Sequence, residues 1–256
     1  MNDLNNLHIL ITRPASQGRA LCDLISARGG HPIHFPTIAF GPPLDQAGFL
    51  QSLILLGEQD WLIFISPQAV HASITQIQRL WPHFPDSVKW AAIGGGTAKA
   101  LEEAGITAVL YPDKEQNSEG LLNLPAFHQV AGKKIAIIRG VGGREWLDKG
   151  LAERGAHVLP VIAYERILPK VDVSPCLEQL RQKNIDIIVC TSYESLCNLK
   201  TLLGETALPF LREIPVIVIS ERIKMLAKDL GFSRIWVARN MSERGILDLI
   251  AEIRKA

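Results

Sequence analysis

The sequence predicts an α/β protein of two doubly wound, flavodoxin-like parallel-sheet domains joined by two extended linkers. Three features carry the prediction. The chain repeats itself at an offset of 126 residues. Ile9-Leu10-Ile11-Thr12-Arg13 reads against Ile135-Ala136-Ile137-Ile138-Arg139, and Ala27-Arg28-Gly29-Gly30-His31 against Glu153-Arg154-Gly155-Ala156-His157. Asp60, Ser66, Ile93 and Gly105 pair in the same way with Asp186, Ser192, Ile219 and Gly231. Solenoid repeats run about 20–50 residues, so this longer period denotes a duplicated domain. Short Ile/Val-rich runs, apolar at consecutive positions, have the pattern of strands buried on both faces of a parallel sheet. Amphipathic stretches lie between these runs, and alternation of the two types defines the class.

Taken along the chain, Leu7–Ile11 is the first apolar run and Gln17–Arg28 the first helical pattern. Ala20, Leu21, Leu24 and Ile25 share one face of that helix, and Gly29-Gly30 ends it, glycine being the usual C-terminal stop. Trp61–Ile65, Trp90–Ile93 and Ala108–Tyr111 are further strands, with a helix over Thr97–Ala104 that ends at Gly105. The second half repeats the series with Ile135–Ile138, Ile185–Cys190, Val216–Ile219 and Ile235–Val237. Its helices are Arg144–Arg154 and Ile223–Leu230, stopped by Gly155 and Gly231. His31 and His157 are repeat mates just before the second strand of each half. About five strands per half suit a flavodoxin-like order. The Pro-rich Phe35–Pro43 and the extended Val161–Pro175 are the expected crossings between domains, with hinge motion expected about Pro36–Pro43 and Ile162–Pro175.

Hydrophobic residues make up 47% of the 256 and charged residues 21%, enough to bury a core. A net charge of +1 gives no global pull toward nucleic acid or membrane. The halves differ: residues 1–126 carry −4 and residues 127–256 carry +5. An anionic ligand therefore depends on local arginines and helix N-termini. Cys22, Cys176, Cys190 and Cys197 form no CxxC pair and read as reduced thiols of a cytoplasmic protein. The first residues lack the pattern of a signal peptide, and no apolar run reaches the ~18 residues of a membrane span.

In open parallel sheets, ligands bind beyond the carboxyl ends of the strands. The residues there are Thr12-Arg13-Pro14, Ser66-Pro67-Gln68, Gly94-Gly95-Gly96-Thr97, Arg139-Gly140 with Arg144, Thr191-Ser192 and Ser220-Glu221-Arg222. Free N–H groups at helix starts favour anions. Ser66, Thr97, Ser192 and Ser220 have helix capping as an equal alternative. Arg13 and Arg139 each have a surface carboxylate as an alternative partner, but their recurrence at the same strand end favours a ligand. The glycine clusters are not dinucleotide or phosphate loops: the third glycine of GxGxxG is missing from both, and no Gly-Lys-Ser/Thr follows. The seven histidines are scattered without metal-ligand spacing, and there is no GxSxG elbow. No metal and no cofactor is expected. Tyr164 lies at the second crossing with apolar Ile38 as its mate. The residues alone favour an aromatic that packs the hinge.

Seven segments in this order and spacing resemble the uroporphyrinogen-III synthase family: Thr12-Arg13-Pro14, Asp60 to Val70, Ile93 to Ala98, Arg139-Gly140 with Gly143-Arg144-Glu145, Tyr164-Glu165-Arg166, Thr191-Ser192, and Ile219 to Ile223. The resemblance implies a discontinuous first domain, residues 1–36 with 168–256, and a second over 37–167. It implies hydroxymethylbilane, a linear tetrapyrrole with eight carboxylates, as substrate. It also implies loss of water to an azafulvene, a spiro-pyrrolenine, and closure with ring D inverted. By the same resemblance Tyr164 assists departure of the hydroxyl group, which reverses the packing reading. Thr12, Arg13, Ser66, Thr97, Arg139, Gly140, Arg144, Thr191, Ser192, Ser220 and Arg222 are the implied substrate-binding residues. Ile65 departs from the family, where many members carry Thr, so a hydroxyl there rests on Ser66. The expected protein is a monomer, in transient contact at most with the enzyme that supplies its substrate. The competing reading is a two-domain small-anion binding protein without catalysis, which a signal peptide would favour.

Overall fold

The computed structural model describes residues 3–142, 145–240 and 242–254. Its strands are β1 (His8–Ile11), β2 (His31–His34), β3 (Ala39–Gly41), β4 (Trp61–Phe64), β5 (Lys89–Ala92), β6 (Val109–Leu110), β7 (Lys134–Gly140), β8 (His157–Ile167), β9 (Ile187–Val189), β10 (Val216–Val218) and β11 (Ile235–Val237). The helices are α1 (Ala15–Ala27), α2 (Gln46–Ile54), α3 (Pro67–Leu80), α4 (Gly95–Glu103), α5 (Ser118–Leu122), α6 (Trp146–Glu153), α7 (Ser174–Arg181), α8 (Tyr193–Leu203), α9 (Leu208–Glu213), α10 (Glu221–Asp229) and α11 (Glu243–Ile253). They form two compact units, one from Met1–Ala39 with Ile167–Ala256 and one from Phe40–Arg166.

The first unit holds a five-stranded sheet in the order β11-β10-β9-β1-β2. With β1 beside β2 and the later strands added on its other side, this is the flavodoxin-like order. The second unit holds β3-β8-β7-β4-β5-β6, the same order after circular permutation, with β3 added at the edge. The duplication reaches the register. Ile9 lies opposite Ile187 as Ile135 lies opposite Trp61, each residue shifted by the repeat. Val216 opposite Ile188 repeats Trp90 opposite Leu62, and Val216 opposite Ile235 repeats Trp90 opposite Val109. Even the strand-entry aspartates match. Asp60 accepts the Lys134 N–H at 2.8 Å, and its mate Asp186 accepts the His8 N–H at 2.7 Å.

Both faces of each sheet are covered, which explains the continuous apolar runs. Along β4, Leu62 and Phe64 enter one core while Trp61 and Ile63 enter the other. Along β10, Val216 and Val218 face one core and Ile217 the opposite one. This is period-two alternation with helices on both sides. Helix ends obey the expected chemistry: Gly29, Gly105, Gly155 and Gly231 all have positive φ just past α1, α4, α6 and α10. The structure shifts some boundaries. His31 and His157 begin β2 and β8 themselves, and α6 starts at Trp146. The first crossing contains the short edge strand β3.

Candidate functional site

In the second unit, the carboxyl ends of β7, β4 and β8 bring Gly140, Ser66 and Tyr164 together. A β-bulge prepares the arrangement. Arg139 lies opposite Ile162, but Gly140 lies opposite Tyr164, so Ala163 is the extra residue. A bulge turns the side chains that follow it. Here Ala163 and Tyr164, adjacent in sequence, both enter the same core. The Tyr164 ring lies over Gly140: a Cβ there would stand 2.6 Å from ring carbons Cε2 and Cζ. Phe40 meets the ring edge-on at 5.5 Å between centroids. The phenol oxygen lies 3.2 Å from Ser66 Oγ. Tyr164 is only 8% exposed, and a cavity of about 270 Å³ opens beside it, lined by Phe40, Gln46, Phe49, Gln68 and Gln76 among others.

Ser66 is also the N-cap of the 14-residue helix α3, its oxygen accepting the Ala69 N–H at 3.0 Å. Pro67 follows at the first helical position, where a missing N–H costs nothing. Capping and contact with the phenol therefore coexist in Ser66. Its mate Ser192 caps α8, accepting the Ser195 N–H at 3.0 Å, and donates to Ser195 Oγ at 2.9 Å. Ser220 caps α10 through the Ile223 N–H. Thr97 does not cap: Gly94 holds that position, and Thr97 lies inside α4, buried. Glycine needs no side chain there because Gln116 accepts the Gly95 N–H instead.

Both recurrent arginines have carboxylate partners. Arg139 donates through Nη1 to Asp148 at 2.7 Å and through Nη2 to the Gly142 carbonyl at 2.9 Å, and its Nε is buried without a partner. Arg13 lies 3.5 Å from Glu243, and burial lowers the pKa of its guanidinium while that carboxylate raises it. A guanidinium stays charged under either influence. Thr12 is fully buried, its hydroxyl donating to the Val189 carbonyl at 3.0 Å and toward Cys190 Sγ at 3.3 Å. Thr191 is half-buried after β9, and Arg222 is exposed in the first turn of α10. Arg144 lies outside the described residues. Sequence reasoning missed Asp148, Gln116 and Phe40. An acidic residue in the first turn after an arginine-ended strand was an available signal for Asp148. Nothing local pointed to the other two.

Among the described residues, no group of three or more His, Cys, Asp or Glu could hold a metal ion, and no helix is long and apolar enough to cross a membrane. Within the second unit the buried Tyr164 phenol thus stands beside the Ser66 hydroxyl at the N-terminus of α3. Residues 19–248 match the family model HEM4, uroporphyrinogen-III synthase HemD. The chain is 34% identical over 245 residues to uroporphyrinogen-III synthase of Escherichia coli (strain K12), covering 94% of this chain and 98% of that protein. It is 30% identical over 200 residues to the synthase of Synechococcus elongatus, covering 77% of this chain and 74% of that protein. Its fold is similar to the crystal structure of uroporphyrinogen-III synthetase from Helicobacter pylori 26695, at TM-score 0.61 and 17% identity over 97% of this chain and 100% of that one. With residues 19–248 matched and 34% identity along nearly its whole length, the chain belongs to the uroporphyrinogen-III synthase family.

Proposed function

We propose that this protein converts hydroxymethylbilane to uroporphyrinogen III, as a monomer that uses no metal or cofactor. The four free cysteines fit a reducing, cytoplasmic setting. The observation that carries the mechanism is the buried Tyr164 phenol, held beside Ser66 at the carboxyl edge of a parallel sheet. A phenol is a hydrogen-bond donor that can give its proton to a leaving oxygen. The C–O bond of the hydroxymethyl group breaks with its electron pair on oxygen, and the Tyr164 proton completes a water molecule. The resulting protonated azafulvene, a cation, attacks the substituted carbon of ring D. Fragmentation and recombination invert that ring, and the proton shed on closure returns to the phenolate.

The rest of the task is orientation, which is worth many orders of magnitude in rate. Eight carboxylates call for distributed donors. Each unit offers its own: Ser192, Ser220, Arg13 and Arg222 in the first, and the N-terminal turns of α3 and α4 in the second. Helix N-termini suit carboxylates without any surplus of net charge. Substitution of Tyr164 by Phe keeps the ring and removes the proton. The variant should stay folded, lose about 10²–10⁴-fold in rate, and still give type III product from the turnover that remains. Full activity in Tyr164→Phe would reduce the residue to packing.

A further inference from the structure

We propose that Ser66 is a positioning residue that acts through Tyr164. It couples the N-terminus of α3 to the phenol oxygen and steadies the charge left there when the proton departs. This inference rests on the role assigned to Tyr164 above. The Ser66 oxygen is bound from one side by the Ala69 N–H and lies 3.2 Å from the phenol oxygen on the other. In the resting protein either hydroxyl can donate. Once the phenol proton has moved to the leaving oxygen, only one direction is left, because the phenolate is an acceptor and Ser66 carries the proton. Hydrogen bonds to ionised oxygen are stronger than neutral ones. The Ala69 N–H polarises the serine hydroxyl as it donates, a cooperative effect. Behind it stands a 14-residue helix whose N-terminus favours negative charge.

The surrounding geometry keeps the pair in register. The bulge at Ala163 delivers Tyr164 to the face where Ser66 follows β4, and the clearance over Gly140 lets the ring reach it. Phe40 packs edge-to-face with the ring. The phenol is largely shut off from water, which would otherwise solvate a phenolate, so the serine supplies a dipole that is already oriented. Charge stabilisation by a pre-placed donor of this kind raises kcat and leaves ground-state binding alone.

Three substitutions separate this role from capping. Ser66→Ala removes both functions, and kcat should fall about 10- to 100-fold, the range for one hydrogen bond to a charged group, with KM changed less than about twofold. Ser66→Thr keeps the cap and the donor and should restore both stability and rate. Ser66→Asp keeps the cap, as aspartate is a good N-cap, but has no proton to give. It should recover the melting temperature and leave kcat low. In the Tyr164→Phe background, Ser66→Ala should cost little further rate, since the two act as a unit. An unchanged kcat in Ser66→Ala, recovery of rate by Ser66→Asp, or a full additional loss in the Tyr164→Phe background would each overturn the inference. Wild-type rate in Tyr164→Phe would overturn the functional reading itself, so the two failures are distinct.

Discussion

Gly140→Ala adds one methyl group to the protein, and its consequences follow from one distance. The new Cβ would stand 2.6 Å from Tyr164 Cε2 and Cζ and 3.1 Å from Cδ2. Carbon atoms pack best at about 3.5–4.0 Å, so the ring must retreat by about 1 Å. Gly140 is not among the glycines with positive φ, so alanine fits its backbone and the cost is steric. The ring is 8% exposed and edge-packed on Phe40, so any retreat disturbs that packing. Overpacking of this kind destabilises by about 1–3 kcal/mol. The rate effect is larger. A retreat of that size pulls the phenol from Ser66, now 3.2 Å away, and a 1 Å misplacement costs on the order of 10²-fold. Urea denaturation and steady-state turnover of hydroxymethylbilane read the two effects separately. In the Tyr164→Phe background the clash persists but there is no hydroxyl to misplace. The added methyl should then destabilise again while removing little further rate. A folded Gly140→Ala variant with wild-type turnover would show that the geometry over Gly140 is irrelevant to the chemistry.

The remaining expectations are simpler. Arg139→Ala should destabilise by about 2–3 kcal/mol in chemical denaturation, below the range for fully buried pairs because Asp148 keeps 20% exposure. An unchanged midpoint with weakened substrate binding would assign Arg139 to the substrate instead. Burial pushes the thiols of Cys176 and Cys190 up to about 12. Native protein at pH 8.5 should therefore leave both unalkylated by iodoacetamide, whereas urea-unfolded protein reacts. The unfolded thiols release protons near pH 8.5 while the folded ones keep them. Their contribution to stability is full below that pH and is lost as pH rises toward 12. Modification of either thiol in the native protein at pH 8.5 would contradict their burial. Exhaustive chelation and dialysis should leave activity intact, and a loss restored by a divalent ion would refute cofactor independence.

The legible parts of this sequence are those set by local chemistry. Strands buried on both faces print themselves as apolar runs, and β4, β7 and β10 are read without ambiguity for that reason. Helix stops at Gly29, Gly105, Gly155 and Gly231 are equally local, since each needs positive φ. The strand β2 is harder to see. It lies at a sheet edge, half-exposed, and reads His-Pro-Ile-His. The site residues divide in the same way. Ser66, Ser192 and Ser220 stand at helix starts that the sequence displays, but Thr97 reads as a possible cap because Gly94 has no side chain to advertise the role. The Arg13 partner, Glu243, lies at the other end of the chain, beyond any local pattern. Tyr164 was the least legible. Its setting depends on one bulge residue, on the bare Cα of Gly140 and on Ser66 nearly a hundred residues earlier. Residue chemistry alone read it as packing, and only the family resemblance gave it a proton.

The function proposed for this chain is to steer hydroxymethylbilane to the inverted isomer. The direct measurement holds substrate constant, varies protein concentration, oxidises the products and separates type III from type I porphyrin. Direct closure without steering gives type I, so the type III fraction should rise with protein concentration and approach completeness as catalysed turnover outruns spontaneous closure. Type I product at the uncatalysed rate, at every protein concentration, would contradict the account.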